Sequence, residues 1–159
     1  MTYPLILNLN KKTGVFSSII CAYIFTDDSI IFAHIDKNLQ KKILADKKAQ
    51  MKSEKKGFIK QSIGMMKVLD EYVGQYNDKS LDDILEENTL NFVLENENIK
   101  KIIFRELQTY TDYETGNSQS GGRLVIKTNT ETIKATHRYY DSGRKIKAFL
   151  KSTYGKKAK

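Results

Sequence analysis

Residues 18–35 read SIICAYIFTDDSIIFAHI, two apolar runs joined by Thr26-Asp27-Asp28-Ser29. The runs are rich in β-branched and aromatic side chains, and Asp27-Asp28-Ser29 supplies turn chemistry, so the stretch reads as a β-hairpin. Its first strand is apolar on both faces: Ile19, Cys21, Tyr23 and Phe25 on one, Ile20, Ala22 and Ile24 on the other. One face can fill a core, and the second then needs a cover. That cover must come from elsewhere in the chain or from another subunit.

The next segment offers one. From Lys37 to about Gln75 the chain has strong helix formers and no proline. It carries an apolar stripe at Phe58, Ser62, Met65, Leu69 and Tyr72, flanked by Ile59, Ile63, Met66 and Val73. Ala45 to Lys56 carries little apolar surface, and Gly57 marks a bend between two helices. Ser80 is placed to cap a short helix, SLDDILEEN, with Asp83 at the capping-box position. The stripe is expected to lie over the outer face of the hairpin. The rival is a second copy of the chain, which keeps homo-oligomerisation open.

Around these segments the pattern is β. Leu5-Ile6-Leu7 suggests a short first strand with Asn8 to Gly14 as its exit loop. Asn91 to Leu94 reads as a short strand and Ile99 to about Tyr113 as a longer one. ETGNSQSGG, residues 114–122, reads as a polar, glycine-rich loop. Arg123 to Thr128 and Glu131 to Arg138 form a hairpin around Asn129-Thr130. In its last strand Ile133, Ala135 and His137 alternate with Thr132, Lys134, Thr136 and Arg138, so the outer face is solvated there. Asp141 precedes a final amphipathic helix with stripe Ile146, Phe149, Leu150 and Tyr154. The fold class is α+β, mainly β. At 159 residues the chain reads as a single domain over 1–155, with 156–159 as a disordered basic tail.

About seven strands followed by one amphipathic helix resembles the pleckstrin-homology-like superfold. YIFTDDSIIFAHI, NFVLENENIKKIIFRE and GGRLVIKTNTETIKATHRYYDSGRKIKAFLK look like the hairpin, the later strand and the closing hairpin-plus-helix of bacterial PH-like and GRAM-like domains. The resemblance covers most of residues 3–154. It implies a bent barrel of about seven antiparallel strands, one end capped by the C-terminal helix, with a helical insertion at about 37–88 between strands 3 and 4. It implies a binding scaffold but names no ligand. Phosphoinositide-binding members use basic residues on the strands of their first hairpin. Here Lys11 and Lys12 stand in the first loop, but Cys21, Ala22 and Tyr23 stand where an arginine would be wanted.

Charge is unevenly laid down. The formal net charge is +8. Ten lysines lie between Lys37 and Lys67, opposed by Asp46 and Glu54 alone, so this block equals the whole excess. Asp82, Asp83, Glu86, Glu87, Glu95 and Glu97 follow with no basic residue from Ser80 to Asn98, so the two blocks can partly neutralise each other.

No catalytic constellation is apparent, and the chain reads as a non-enzymatic binding domain that needs no cofactor. His34 and His137 are far apart and Cys21 is alone, which falls short of a metal ligand set. Cys21 sits inside an apolar strand, where a thiol is packing. Gly122 leads through Arg123 into a strand, unlike a phosphate-cradling P-loop. The carboxylates of Asp82, Asp83, Glu86 and Glu87 suit a solvated helix face.

The candidate binding residues are therefore Lys47, Lys48, Lys52, Lys55, Lys56 and Lys60, beside the apolar stripe Phe58, Ile63, Met66 and Leu69. Three readings compete: a solvated helix face, a basic amphipathic helix on an anionic membrane, and a nucleic-acid contact. The third is disfavoured because lysine dominates over arginine and aromatics do not interleave. The expected partner is a protein or an anionic surface. The single cysteine and the absence of a leader-like start suit the cytoplasm. The apolar run Ile19 to Phe25 is too short to span a bilayer.

Overall fold

The two-sided hairpin lies within an antiparallel seven-stranded sheet, covered on both faces as its pattern requires. The computed structural model describes residues 3–53, 67–106, 108–112, 116–120, 122–137 and 143–159. In chain order the first strands are β1 (Leu5–Lys12), β2 (Ser18–Phe25) and β3 (Ser29–Ile35). Helix α1 (Lys37–Ser53), helix α2 (67–74), a 3-10 turn (Gln75–Asp78) and helix α3 (Leu81–Glu86) follow. Then come β4 (Phe92–Glu95), β5 (Ile99–Arg105), β6 (Gln108–Asp112), β7 (Gly116–Ser120), β8 (Arg123–Thr128), β9 (Thr132–His137) and helix α4 (Gly143–Tyr154).

The sheet order is β4-β3-β2-β1-β9-β8-β5, and the sheet is open: β4 and β5 are its edges. The bent barrel expected from the sequence is thus not a closed one. β6 and β7 form a separate two-stranded ribbon. They replace the single long strand over 99–113 and the loop over 114–122 that the sequence suggests. Thr109, Tyr110 and Thr111 favour a strand, and β7 (GNSQS) pairs with it despite poor intrinsic propensity.

β1 is also longer than expected, because Asn8 and Asn10 break its apolar run without breaking its alternation. Leu7 and Leu9 point into the inner core, while Asn8 turns outward and donates from Nδ2 to Asp70 Oδ1 on α2 at 2.6 Å.

Two apolar clusters sandwich β2. The inner one joins Leu7, Leu9, Cys21, Tyr23, Phe25, Phe32, Ile102, Phe104, Ile126 and Ile133 to Ile146, Leu150 and Tyr154 of α4. Phe25 meets Phe149 and Tyr154 edge-on, with centroids 5.8 and 6.3 Å apart. The outer cluster sets Ala22, Ile24, Ile31, Ala33 and Ile35 against Ile43, Val68, Val73, Tyr76 and Ile84 of the helical segment. Leu69 and Tyr72 pack against this cluster, so the cover expected from the stripe comes, over its described residues, from the same chain.

Local signals set the helix ends. Asp36 Oδ1 accepts from Leu39 N at 2.8 Å, capping α1. Ser80 and Asp83 make the reciprocal capping box that starts α3, with Asp83 N donating to Ser80 Oγ at 3.2 Å. α4 ends at Gly155, whose φ of 53° lies in the left-handed region that favours glycine. The chain turns there, and residues 156–159 dock instead of fraying. Ala158 bridges Ile102 in parallel, Lys159 N donates to the Ile102 carbonyl at 2.9 Å, and Phe104 N donates to the Lys159 carbonyl at 3.0 Å. The basic-tail expectation failed because composition gave no sign of these backbone partners.

Candidate functional site

α1 carries three of the six lysines that the sequence nominates. Lys47 is already committed to Glu71 across the α1–α2 contact at 2.6 Å. Lys48 and Lys52 are exposed. Lys55, Lys56 and Lys60, with Phe58, Ile63 and Met66 of the stripe, lie outside the described residues. Leu69, the remaining stripe residue, is spent on the outer cluster. α1 buries only Ile43 and Met51, so most of its length is solvated.

A second polar cluster interrupts the inner face at the far end of β1. Lys11, which follows Leu7 and Leu9 in the inward alternation, is half-buried. Its Nζ lies 3.1 Å from His34 Nε2 and 4.7 Å from the Phe92 ring centroid. An ammonium has no lone pair to offer, so Nε2 accepts and the imidazole is neutral, with its proton on Nδ1. His34 is 3% exposed, and burial, then the Lys11 charge, pushes its pKa down to about 4 against the raising effect of Asn91 and Leu90. Cys21 stands opposite His34 in the β2–β3 register, and burial pushes its thiol up to about 12 despite Lys11. At neutral pH the pair is a thiol beside a neutral imidazole, not an activated nucleophile and its base.

β4 reaches β3 only as far as Phe32–Phe92, and asparagines take over beyond. Asn91 Oδ1 accepts from His34 N at 2.6 Å, and Asn91 Nδ2 donates to the Ile84 carbonyl at 2.6 Å. Asn88 Nδ2 donates to the His34 carbonyl at 3.3 Å. These side chains satisfy backbone groups that a longer β4 would have paired.

The third cluster is a clamp. Glu87 accepts from Tyr72 Oη, from Tyr76 Oη at 2.6 Å and from Lys79 Nζ at 2.6 Å. Lys79 lies over both tyrosine rings, 5.1 and 5.0 Å from their centroids. Burial raises the Glu87 pKa, but hydrogen bonds from Lys79, Tyr72 and Tyr76 and the Lys79 charge outweigh it and hold the carboxyl below its usual range. Both tyrosine hydroxyls are pushed up, first by burial and then by Glu87. Every charge here is matched, so the cluster fastens α2 to the chain after α3.

The outer face of β9, β8 and β5 differs from all three. Leu124, Ile126, Ile133, Ala135, Ile102 and Phe104 point inward. Alternation therefore sends Arg123, Val125, Lys127, Lys134, Lys101, Ile103 and Arg105 outward. Among the described residues the outer helical cover meets β1 at Asn8, which binds Asp70. Beyond it Arg105 faces Arg123, Ile103 faces Val125 and Lys101 faces Lys127. No acidic residue occurs within β5, β8 or β9; Glu131 sits at the edge, in the β8–β9 turn. Among the described residues the ion pairs are Lys47–Glu71, Lys79–Glu87 and Lys147–Glu106, and none touches this face.

Sequence reasoning passed over this face because the acids of 80–98 cancel its charge in a sum, though not in space. The available signal was a cation at each end of the five-residue strand segments KIIFR and RLVIK, a spacing of four that puts both cations of each strand on one face.

Among the described residues no group of three or more histidine, cysteine, aspartate or glutamate side chains could hold a metal ion, and no helix is long and apolar enough to cross a membrane. No family model, curated protein or solved structure matches the chain.

Proposed function

We propose that the chain is a non-enzymatic binding domain of pleckstrin-homology-like architecture whose ligand is an anionic surface. The observation that carries the ligand class is the row of cations on the outer face of β9, β8 and β5, none of which forms an ion pair among the described residues. Cations held on a rigid sheet without counter-charges attract polyanions and raise their local concentration. The architecture is supported by the sheet order. Sheet strands that follow one another in the chain lie side by side except β4 and β5, which form the open edges, and α4 packs into the inner core. The helical segment between β3 and β4 is then the insertion, its described apolar residues serving as cover. This favours a site elsewhere than on the Leu69 stripe. The buried, unpaired Cys21 suits a reducing compartment such as the cytoplasm.

The test is a titration of the full, isotope-labelled chain with heparin oligosaccharides at physiological ionic strength, followed by amide chemical shifts. Shifts concentrated on β5, β8 and β9 are expected, fading as salt is added. A spectrum that does not move overturns the reading.

A further inference from the structure

We infer that the anionic surface is a lipid bilayer, met by the outer face of β9, β8 and β5 with the Val15–Phe16 loop entering the headgroup layer beside it. This rests on the anionic-surface reading above and names its partner.

The first observation is the register of like charges. Arg105 opposite Arg123 and Lys101 opposite Lys127 are cross-strand pairs of the same sign, two on one pair of strands. Directly opposed like charges oppose folding, so nothing in the fold itself accounts for this pattern. A planar array of negative headgroups relieves both repulsions at once. Lys134 extends the array across β9, adjoining Val125 in the β8–β9 register.

The second observation selects among polyanions. Between the cations the outward positions of β5, β8 and β9 hold Ile103, Val125, Thr132 and Thr136, none of them aromatic. Bases of a single strand would find nothing to stack on at these positions. An apolar element instead lies at the margin. Val15 is 85% exposed and Phe16 102% exposed, more than any other large apolar side chain among the described residues. The loop holding them is fixed. Thr13 N donates to the Ser17 carbonyl at 3.0 Å, and Thr13 Oγ1 donates to Ser17 Oγ at 3.0 Å. β1 pairs with β9 through Asn10–Thr136 and Lys11–Ala135. The pairing ends there, and the same register continued by one position would set Lys12 toward Lys134, which puts the loop after Lys12 at the margin of the basic face. An apolar tip beside a basic plane matches the layered chemistry of an anionic membrane, charge outside and hydrocarbon beneath.

The experiment is co-sedimentation of the full chain with phosphatidylcholine vesicles, with and without phosphatidylserine, over a salt series. Binding is expected only with phosphatidylserine, weakening as salt rises. Replacing Arg123 and Lys127 together by glutamine is expected to lower partitioning about twenty-five-fold, at about fivefold for each charge removed. Phe16→Ser is expected to lower it roughly tenfold, while Lys48→Gln with Lys52→Gln on α1 leaves it unchanged. Circular dichroism of each variant checks that it folds, and the charge-preserving pair Arg123→Lys with Lys127→Arg is expected to keep binding.

Loss of binding in the α1 variant but not the sheet variant overturns the placement of the site. Heparin-induced shifts without vesicle binding overturn the lipid inference and leave the anionic reading standing. A chain that responds to neither loses both.

Discussion

Besides the Glu87 carboxyl, held below its usual range in the tyrosine clamp, His34 is one side chain at which acid acts on this fold. In the unfolded chain its pKa is near 6.5, and burial beside Lys11 pushes it down to about 4 in the folded one. A base with a depressed folded pKa binds its proton more readily when unfolded. Its neutral form is therefore compatible with full stability above about pH 6.5, and stability falls as pH drops toward about 4. At 1.36 kcal/mol per pKa unit the loss is about 3 kcal/mol. Urea midpoints measured from pH 7.5 to 4 are expected to show this slope, and His34→Gln, which keeps an acceptor for Lys11, is expected to reduce it, most clearly between about pH 6.5 and 5 where carboxylates contribute least. The environment of His34 could not be read from the sequence. Lys11 looked like a loop residue because Asn8 and Asn10 masked the alternation, and Asn91 lies far along the chain. Polar contacts of this kind depend on register, which a strand's own composition does not fix.

At the scale of elements, local chemistry was the most legible. The Thr26–Ser29 turn, the Ser80–Asp83 capping box, the β8–β9 hairpin and the α4 stripe all follow from residue types within a few positions of one another. The cover over β2 was legible for a different reason: a strand apolar on both faces demands one. α3 tests that cover. Ile84 is fully buried in the outer cluster, whereas Leu81, one turn earlier, is 40% exposed. Ile84→Ala is expected to cost about 2–5 kcal/mol, and Leu81→Ala is expected to lie within about 0.5 kcal/mol of the parent, both by chemical denaturation. What failed at this scale was the stretch after Arg105. A strand-like sequence was read as continuing in the same sheet, whereas the chain leaves it for the β6–β7 ribbon. Alternation reports strand character and does not report which partner a strand takes.

For the whole molecule, the sequence sum and the spatial distribution of charge part company. Counting residues puts the entire excess in the 37–67 block, yet among the described residues Lys47 there is paired and the row on β5 and β8 is not. The sheet's two edges are also treated differently. β4 is four residues long, a short template for pairing, and on β5 the Ile102 carbonyl and the Phe104 amide are taken by Lys159. Deleting residues 156–159 frees the Phe104 amide and the Ile102 carbonyl. The expected outcome is about 1–2 kcal/mol lower stability, from two backbone hydrogen bonds, with self-association that sedimentation velocity would detect as faster-moving species.

The β1–β9 pairing, made through Leu9–His137, Asn10–Thr136 and Lys11–Ala135, also sets an order of events as the chain is made. β1 to β4 and their helical cover are complete in sequence before β5 begins, and each sheet contact among them joins neighbours in that half. The seam with β9 joins the two most distant parts of the chain, so it carries the largest loop-closure cost and is expected to form last. Until then Lys12 and the Phe16 loop stand apart from the cations of β5, β8 and β9. The proposed ligand recognition would therefore be acquired in the same step that joins β1 to β9.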